Sequence, residues 1–549
     1  MDVSPTFEPL NLSETDEYVL SPFFTNLNNS VFAVTVLPPE VIGALCSRAS
    51  RAKGDLREIF LNEFIKPFLE TNDEYGKSLN EFIDFLHKYP ISLIFSNPKG
   101  REFYIKWLAQ YGDDSIAQMS GIHLIYSSLS LVAIKHFEHM RIGLAPIEKS
   151  TRYVDYSTKI NGQFRYYTDP VLKEYGLEKE YTKVMDNLFE TYSNLISKYY
   201  NHLKKSFPNE ADSTLKAKSF DTLRGLLPLS TLSQVAFFGN GQSFEYAYNR
   251  SIQYPLNEVK WAAISGLIEL NKIAPAFFHR SESEIAKEYQ YYLGDRSSRI
   301  RSAIKDIPNS NTAGKKGVSL LDYDQDGENQ VIAGLIYPEL HCSYEDAFNQ
   351  VHTMTIAQKK SLLDSILFDR KARFYKIPRA FELAELTFEV TANWSVWKDL
   401  QRHRMVTTIN QNFNTHLGYD VPKELIDINL DSEYRSVLDQ TNELFLQIEA
   451  KDPLVAQYCV TQAHLLSYVQ QQNLRSFFWE VELRTGPQGH PDYRRISQEK
   501  VKLVQKVYPL LSEYLKVDMN DYDFARREIQ QSINQKEASI KNYLQSKGI

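Results

Sequence analysis

Arg402-His403-Arg404 sets three side chains that each need water or an anion next to one another, and Asn473-Leu474-Arg475 with Arg484 forms a second polar group downstream. Guanidinium groups offer planar forks of N–H donors that match phosphate and carboxylate oxygens, and a neighbouring imidazole donates, accepts or titrates near neutrality. Such a set can hold a phosphorylated ligand or stabilise negative charge that develops in a reaction. Asn473 and Arg484 lie eleven residues apart, close to three helical turns, which predicts one shared helix face among the aromatics of QQQNLRSFFWEVELRTG. Basic residues are also favoured in the last turn of any helix by its dipole, so the triplet alone defines no site. Glu148-Lys149-Ser150-Thr151-Arg152-Tyr153 and Arg224-Gly225-Leu226-Leu227-Pro228 supply further guanidiniums and hydroxyls far upstream.

The elements that must carry these groups show a repeating plan. LTFEVTAN reads as a strand and SVWKDLQRHR as the helix that ends in the triplet; earlier, GIHLIYSS reads as a strand followed by the helix SLVAIKHFEHM. Gln118 precedes Glu138-His139 by 20 and 21 residues, and Glu382 precedes Arg402-His403 by the same spacing, which suggests duplication. FAVTVL predicts a strand and PPEVIGALCSRASR a turn into a helix. The expected organisation is a loose N-terminal arm over 1–31, a first repeat over 32–300, a polar linker over 301–330, a second repeat over 331–515, and a polar helix or tail over 516–549.

Composition narrows the partners. At 549 residues, 43% hydrophobic and 13% aromatic, the chain can bury several cores. With 62 basic against 69 acidic residues and a net charge of -7, neither nucleic acid nor an anionic membrane is an expected partner. Three dispersed cysteines without a CxxC pair indicate neither a disulfide framework nor a zinc site and fit a cytoplasmic protein. No secretory signal pattern or 18-residue apolar run is present. Asp322, Asp324, Asp326 and Gly327 imitate the start of a calcium loop, but Ala333 stands where its bidentate glutamate belongs. Glycine-rich phosphate loops of the usual patterns are absent, and no metal is expected.

At this point the chain resembles the flavin-dependent thymidylate synthase family, ThyX, whose signature is Arg-His-Arg followed at a fixed distance by Ser-x-Arg-Tyr. The family also carries Arg-x-x-Leu-Pro and, further on, Asn-x-Arg-x8-Arg. The resemblance covers both halves, from about Pro90 to Phe278 and from about Val331 to Leu515, each similar to one ThyX repeat. It implies an α+β fold in tandem duplication, a mixed or antiparallel sheet with helices, and a homodimer that imitates the family's tetramer. Repeat 1 keeps the nucleotide-phosphate pattern: Glu148, Ser150, Thr151, Arg152, Arg224 and then Asn240. It has Glu138-His139-Met140 in place of the triplet, with an insertion of about two residues before Ser150, and Gln242 and Ser251 at the two later arginine positions. Repeat 2 keeps Arg402-His403-Arg404 and Asn473-x-Arg475-x8-Arg484, but has Asn412-Phe413-Asn414 for Ser-x-Arg, and Gln457 and Thr461 for the Arg and Pro of Arg-x-x-Leu-Pro. The losses are complementary.

The resemblance implies reductive methylation of dUMP to dTMP with FAD as cofactor and methylenetetrahydrofolate and NADPH as co-substrates. It assigns the dUMP phosphate to Ser150, Arg152 and Arg224, with Glu148, Thr151, Asp399 and Arg402 also on the nucleotide. FAD falls to Ser115, Arg402, His403, Arg404, Asn473, Arg475 and His490, and activation of the uracil to Arg484. None of the three cysteines lies in the motif of the unrelated synthases that attack the uracil with a thiol. Asp399 replaces the family's glutamine, Gly112-Asp113-Asp114-Ser115 replaces Gly-His-x-Ser, and GPQGHPDYRR lengthens the spacer before His490. These departures keep two alternatives in view: a flavoprotein acting on another nucleotide, and a non-catalytic nucleotide-binding relative.

Overall fold

The computed structural model describes residues 2–71, 73–90, 98–100, 102, 106, 115–140, 143–307, 316–522, 524 and 529–547. Two four-stranded antiparallel sheets have the same strand order: β1 (Val31–Ala33), β2 (Ile122–Ser130), β4 (Leu232–Gly239) and β3 (Leu144–Glu148) in the first, and β5 (Gly317–Tyr323), β6 (Glu385–Asn393), β8 (Leu465–Asn473) and β7 (Thr407–Asn410) in the second. Alternation drives them. In β6, Leu386, Phe388 and Val390 are fully buried while Glu385, Thr387 and Glu389 take the other face.

Each central strand leads directly into a capped helix. Ser130 caps α3 (Leu131–Glu138) and Asn240 caps α5 (Gly241–Ser251) in repeat 1; Asn393 caps α8 (Trp394–Leu400) and Asn473 caps α10 (Leu474–Arg484) in repeat 2. Each cap side chain accepts from the backbone N–H of the helix's third residue, which satisfies one of the donors that the first turn leaves open. A second pair follows, α6 (Asn257–Ile273) and α11 (Pro491–Val507). Its early acid reaches back to the first cap in both repeats: Glu258 accepts from Ser130 Oγ at 2.5 Å and Asp492 from Asn393 Nδ2 at 2.8 Å. The chain is therefore a tandem duplication of one α+β fold.

The duplication is clearest where the halves meet inside one compact unit. The chain forms two such units, Met1–Tyr199 with Thr222–Asn311 and Val421–Gln462, and Tyr200–Asp221 with Thr312–Asp420 and Ala463–Ile549. Within the first, Leu229 N–H donates to Val460 O at 2.7 Å and Gln462 N–H to Leu227 O at 3.0 Å. Leu229 and Gln462 are equivalent residues, as are Leu227 and Val460, so the two bonds are mates about a local dyad at Pro228 and Thr461, as at an isologous dimer contact. In the same unit the part of α4 (Glu178–Ser206) up to Tyr199 runs beside α9 (Asp431–Glu449), with Asn187 donating to Gln440 at 2.8 Å and Lys198 to Glu433 at 2.6 Å.

Two expectations about the chain's ends and middle are corrected. The N-terminal stretch is not a loose arm: Ser13 and Asp16 form a capping box on α1 (Glu14–Leu20), and Leu20, Phe23 and Phe24 enter a core with Phe32, Phe60 and Ile125. Hydrophobic residues among acidic ones hid this, because they pack against α2 (Pro39–Ala49) and the sheet instead of repeating along one helix. Phe24→Ala is expected to destabilise the protein by about 3–5 kcal/mol, seen as a lower urea midpoint with unchanged slope. The polar stretch 301–330 contains β5, paired with β6, and the start of Gly327–Ile336, a helix of repeat 2. Asp324, part of the calcium-loop imitation, accepts the backbone N–H of Glu385 at 2.8 Å. Among the described residues no helix is long and apolar enough to cross a membrane.

Candidate functional site

The triplet does not end a helix. α8 stops at Leu400, and Arg402-His403-Arg404 forms the turn into β7, with Arg402 exposed, His403 buried and Arg404 half-buried. Arg484, at the C-terminal end of α10, donates from Nε to His403 Nε2 at 2.8 Å. His403 Nε2 therefore accepts and its proton sits on Nδ1. Burial, with the Arg484 cation beside it, pushes the imidazole down to about 3, so the ring is neutral at physiological pH. The Arg484 guanidinium also lies 5.4 Å from the centre of the Tyr493 ring.

A fully buried polar triad joins α10 to α11 and β8. Lys500 Nζ donates to Glu480 Oε1 and Gln470 Oε1, both at 2.8 Å, and Gln470 Nε2 donates to Glu480 Oε2 at 2.6 Å. The Lys500 ammonium holds the Glu480 carboxyl below its usual range against the opposing effect of burial, and the Glu480 charge acts on His403. The equivalent residues of repeat 1 are Phe237, Ala247 and Gly266. There Tyr126 fills the space: a Cβ on Gly266 would stand 2.3 Å from its hydroxyl. Glu480 and Lys500 carried no expectation from sequence. The available signal was a charge on each of two helices at positions that are apolar in the other half.

The N-terminal end of α10 holds a separate group. Asn473 Oδ1 accepts from Ser476 N–H at 2.9 Å as the helix cap, and Arg475 donates to Glu382 at 2.9 Å and to Ile377 O at 3.1 Å. Repeat 1 repeats this contact without charge, since Gln118 Nε2 donates to Gln242 Oε1 at 3.0 Å. Eleven residues, close to three turns, keep Asn473 and Arg484 toward one side of the helix, but at 1.5 Å each they stand about 16 Å apart, at its opposite ends. Asn473→Ala is expected to lower stability by about 1 kcal/mol, and Asn473→Asp to keep most of it, as read from thermal midpoints. His490 is also reassigned. It caps α11, accepting Asp492 N–H at Nδ1 (3.2 Å) and contacting Asp221 O at 3.1 Å through Nε2, so both ring nitrogens have partners within the fold.

In repeat 1 the expected phosphate segment follows β3. Glu148 is buried in an ion pair with Lys135 at 3.0 Å, which assigns it to the core. Ser150 Oγ accepts from Arg152 N–H at 3.2 Å, and Ser150 N–H donates to Ser50 O at 2.9 Å. Thr151 is buried and Arg152 half-buried, while Arg224 is buried in the short turn of helix Arg224–Leu226. Lys149 N–H donates to Gln234 O at 2.8 Å and its counterpart Gln411 N–H to Ser467 O at 3.2 Å, which aligns Ser150-x-Arg152 with Asn412-x-Asn414. The same approach shifts the triplet's counterpart by one. The β2–β4 register slips between Tyr126 and Leu129, whereas β6–β8 runs unbroken. Counted from caps Ser130 and Asn393, His139, Met140 and Arg141 match the triplet, not Glu138-His139-Met140; buried Lys135 and Lys398 then coincide. Residues 112–114, Arg141 and the Ser115 side chain lie outside the described residues. Asp399 sits on α8, half-buried.

Two copies of one sheet-and-helix unit, with a cationic centre in one and a serine-arginine loop in the other, define a duplicated α+β protein whose halves have diverged in their polar residues. The chain belongs to the thymidylate synthase complementing protein family, which matches residues 84–276 and 319–510, one segment per repeat. It is 34% identical over 520 residues to a UPF0159 protein of Chlamydia pneumoniae, covering 92% of this chain and 95% of that one. A UPF0159 protein of Chlamydia muridarum is also 34% identical, over 92% and 96% of the two chains. One of Thermoplasma acidophilum is 27% identical over 88% and 96%.

Proposed function

We propose that the protein is a flavin-dependent thymidylate synthase that methylates dUMP reductively, with methylenetetrahydrofolate as carbon donor and NADPH as reductant. The observation that carries this is the Arg484–His403 bond of repeat 2; at the Arg484 position repeat 1 has Ser251, whose hydroxyl meets His136 at 2.9 Å, and at the His403 position it has Met140. Neutral His403 fixes the Arg484 guanidinium, leaving a cation to stabilise charge that develops on the uracil ring. Ser150, Arg152 and Arg224 bind the nucleotide phosphate, whose two negative charges suit paired guanidiniums. Arg402 and Arg404 flank His403 and hold anionic groups of nucleotide and flavin.

The residues of repeat 2 suit FAD, an elongated dinucleotide. Arg475 is oriented by Glu382 and Ile377 O and keeps its Nη2 without a protein partner among the described residues, at the far end of α10 from Arg484. When bound, the flavin supplies the hydride that the ring accepts. The thiols of Cys46 and Cys459 are buried and pushed up, that of Cys46 to about 11, which disfavours them as nucleophiles.

The partition of motifs means that one half-site comes from each repeat, and a homodimer carries two complete sets. The test is formation of dTMP by purified protein given dUMP, methylenetetrahydrofolate, FAD and NADPH. dUMP-dependent NADPH oxidation with dTMP formation supports the assignment. A yellow protein that turns over another nucleotide instead supports the second reading, motivated by Asp399. Mixing Arg152→Ala with Arg484→Ala chains then separates sites completed between chains, which regain activity, from sites completed within one.

A further inference from the structure

The first compact unit holds a cavity of about 400 Å³ bounded by the N-terminal segment 6–11, the turn at 53–58 and the ends of β2 and β4, a volume within the usual range for small-molecule sites. Residues assigned above to nucleotide or flavin do not line it, and the 6–58 part of its wall lies outside the segment that matches the family. Lys149 enters it, 5% exposed, with Nζ donating to Lys53 O at 2.9 Å and Gly54 O at 3.0 Å. An ammonium has three N–H donors, so one is left. Arg165 enters it too. Its Nη2 donates to Asp155 O at 2.9 Å and Thr158 Oγ1 at 3.1 Å, its guanidinium lies 4.9 Å from the centre of the Tyr156 ring, and its buried Nε has no partner among the described residues.

Three carboxylates also line the cavity, those of Glu8, Asp55 and Glu58, and two of them have other partners. Asp55 is engaged with Arg57 at 2.9 Å and with Ser127, and Glu58 accepts the Asp55 N–H at 3.1 Å. Burial first, then the Arg165 charge, pushes the Lys149 amine down to about 8 against the opposing effect of the Asp55 and Glu58 carboxylates. Phe7 and Phe164 add apolar ring surface to the same cavity. The segment carrying Phe7 is held in place, since Ser128 Oγ donates to Thr6 O at 2.6 Å and the Arg57 guanidinium lies 5.6 Å from the Phe7 ring.

We propose that this cavity is a second ligand site that takes a nucleoside monophosphate, with the phosphate between Lys149 and Arg165 and the base against Phe7 and Phe164. A regulatory role follows from its place in the chain and rests on the proposed function. Lys149 directly precedes Ser150, and Ser150 N–H is held by Ser50 O, so an occupant sets the backbone from which Ser150 and Arg152 reach the substrate phosphate.

The test is equilibrium binding of dTMP, thymidine and inorganic phosphate to the full-length chain in an Arg152→Ala, Arg402→Ala background, which weakens the substrate site. The expected result is retained dTMP binding, at least tenfold weaker after Arg165→Gln and after Phe7→Ala, with thymidine not binding and phosphate competing only weakly. Far-UV circular dichroism checks that each variant is folded, and Arg165→Lys, which keeps the charge, should weaken binding less than Arg165→Gln. Three results would overturn the proposal: no dTMP binding in the background protein, binding indifferent to Arg165→Gln and Phe7→Ala, or equal binding of thymidine. The assay needs no turnover. Arg165-dependent binding in a protein that makes no dTMP would keep the site and reject the synthase reading.

Discussion

Arg484→Ala is expected to lower the rate of dTMP formation by about 10²–10³-fold, the usual loss when one preorganised donor to a developing anion is removed. The effect should appear in kcat more than in KM, because the guanidinium acts on charge that grows during the reaction. Arg484→Lys should recover little of it. A lysine has no planar fork with which to hold His403 Nε2 and face a ligand at the same time, whereas the arginine already donates from Nε to that nitrogen at 2.8 Å. Single-turnover measurement with saturating dUMP checks this, and a loss confined to KM would assign Arg484 to ground-state binding alone.

The second large effect is on stability. Lys500→Met should destabilise the protein by about 3–5 kcal/mol, because it leaves the Glu480 carboxylate buried without its cation. Adding Glu480→Leu to Lys500→Met should recover much of that loss, since repeat 1 already packs the same place with Phe237, Ala247 and Tyr126. Chemical denaturation reads both, and a Lys500→Met loss below about 1 kcal/mol, the level of an exposed pair, would contradict the account. The doubly apolar protein should still lose activity, because Glu480 and Lys500 set the field around His403. His403 also gives stability a pH dependence. Its folded pKa of about 3 lies below the 6.5 of the free side chain, so its contribution is complete above pH 6.5 and is lost as pH falls toward 3. His136, likewise pushed down to about 3, adds in the same direction.

Residue spacing revealed the duplication and the division of motifs, because both rest on short, local patterns: a strand, a capping residue and a helix of fixed length. The aligned backbone bonds of Lys149 and Gln411 support the pairing of Ser150-x-Arg152 with Asn412-x-Asn414. Counting alone failed where the backbone departs from regularity. The slip in β2 moved the triplet's counterpart from Glu138 to His139, and the early end of α8 turned a helix-end triplet into a loop. His490 and Asn473 illustrate a different limit, since the residue types that bind ligands also cap helices. The Glu480–Lys500 pair joins two helices, and the N-terminal core joins α1 to a sheet; such contacts leave no periodic trace in sequence.

The central claim is that the two repeats divide the work, and four variants test it most directly. Arg152 and Arg484 should be paired with their counterparts in the opposite repeat, Asn414 and Ser251, each changed to alanine and assayed for dTMP formation. Arg152→Ala and Arg484→Ala are expected to lose activity while Asn414→Ala and Ser251→Ala keep it. Equal losses within either pair would show that both repeats contribute that half of the site, and would contradict the division.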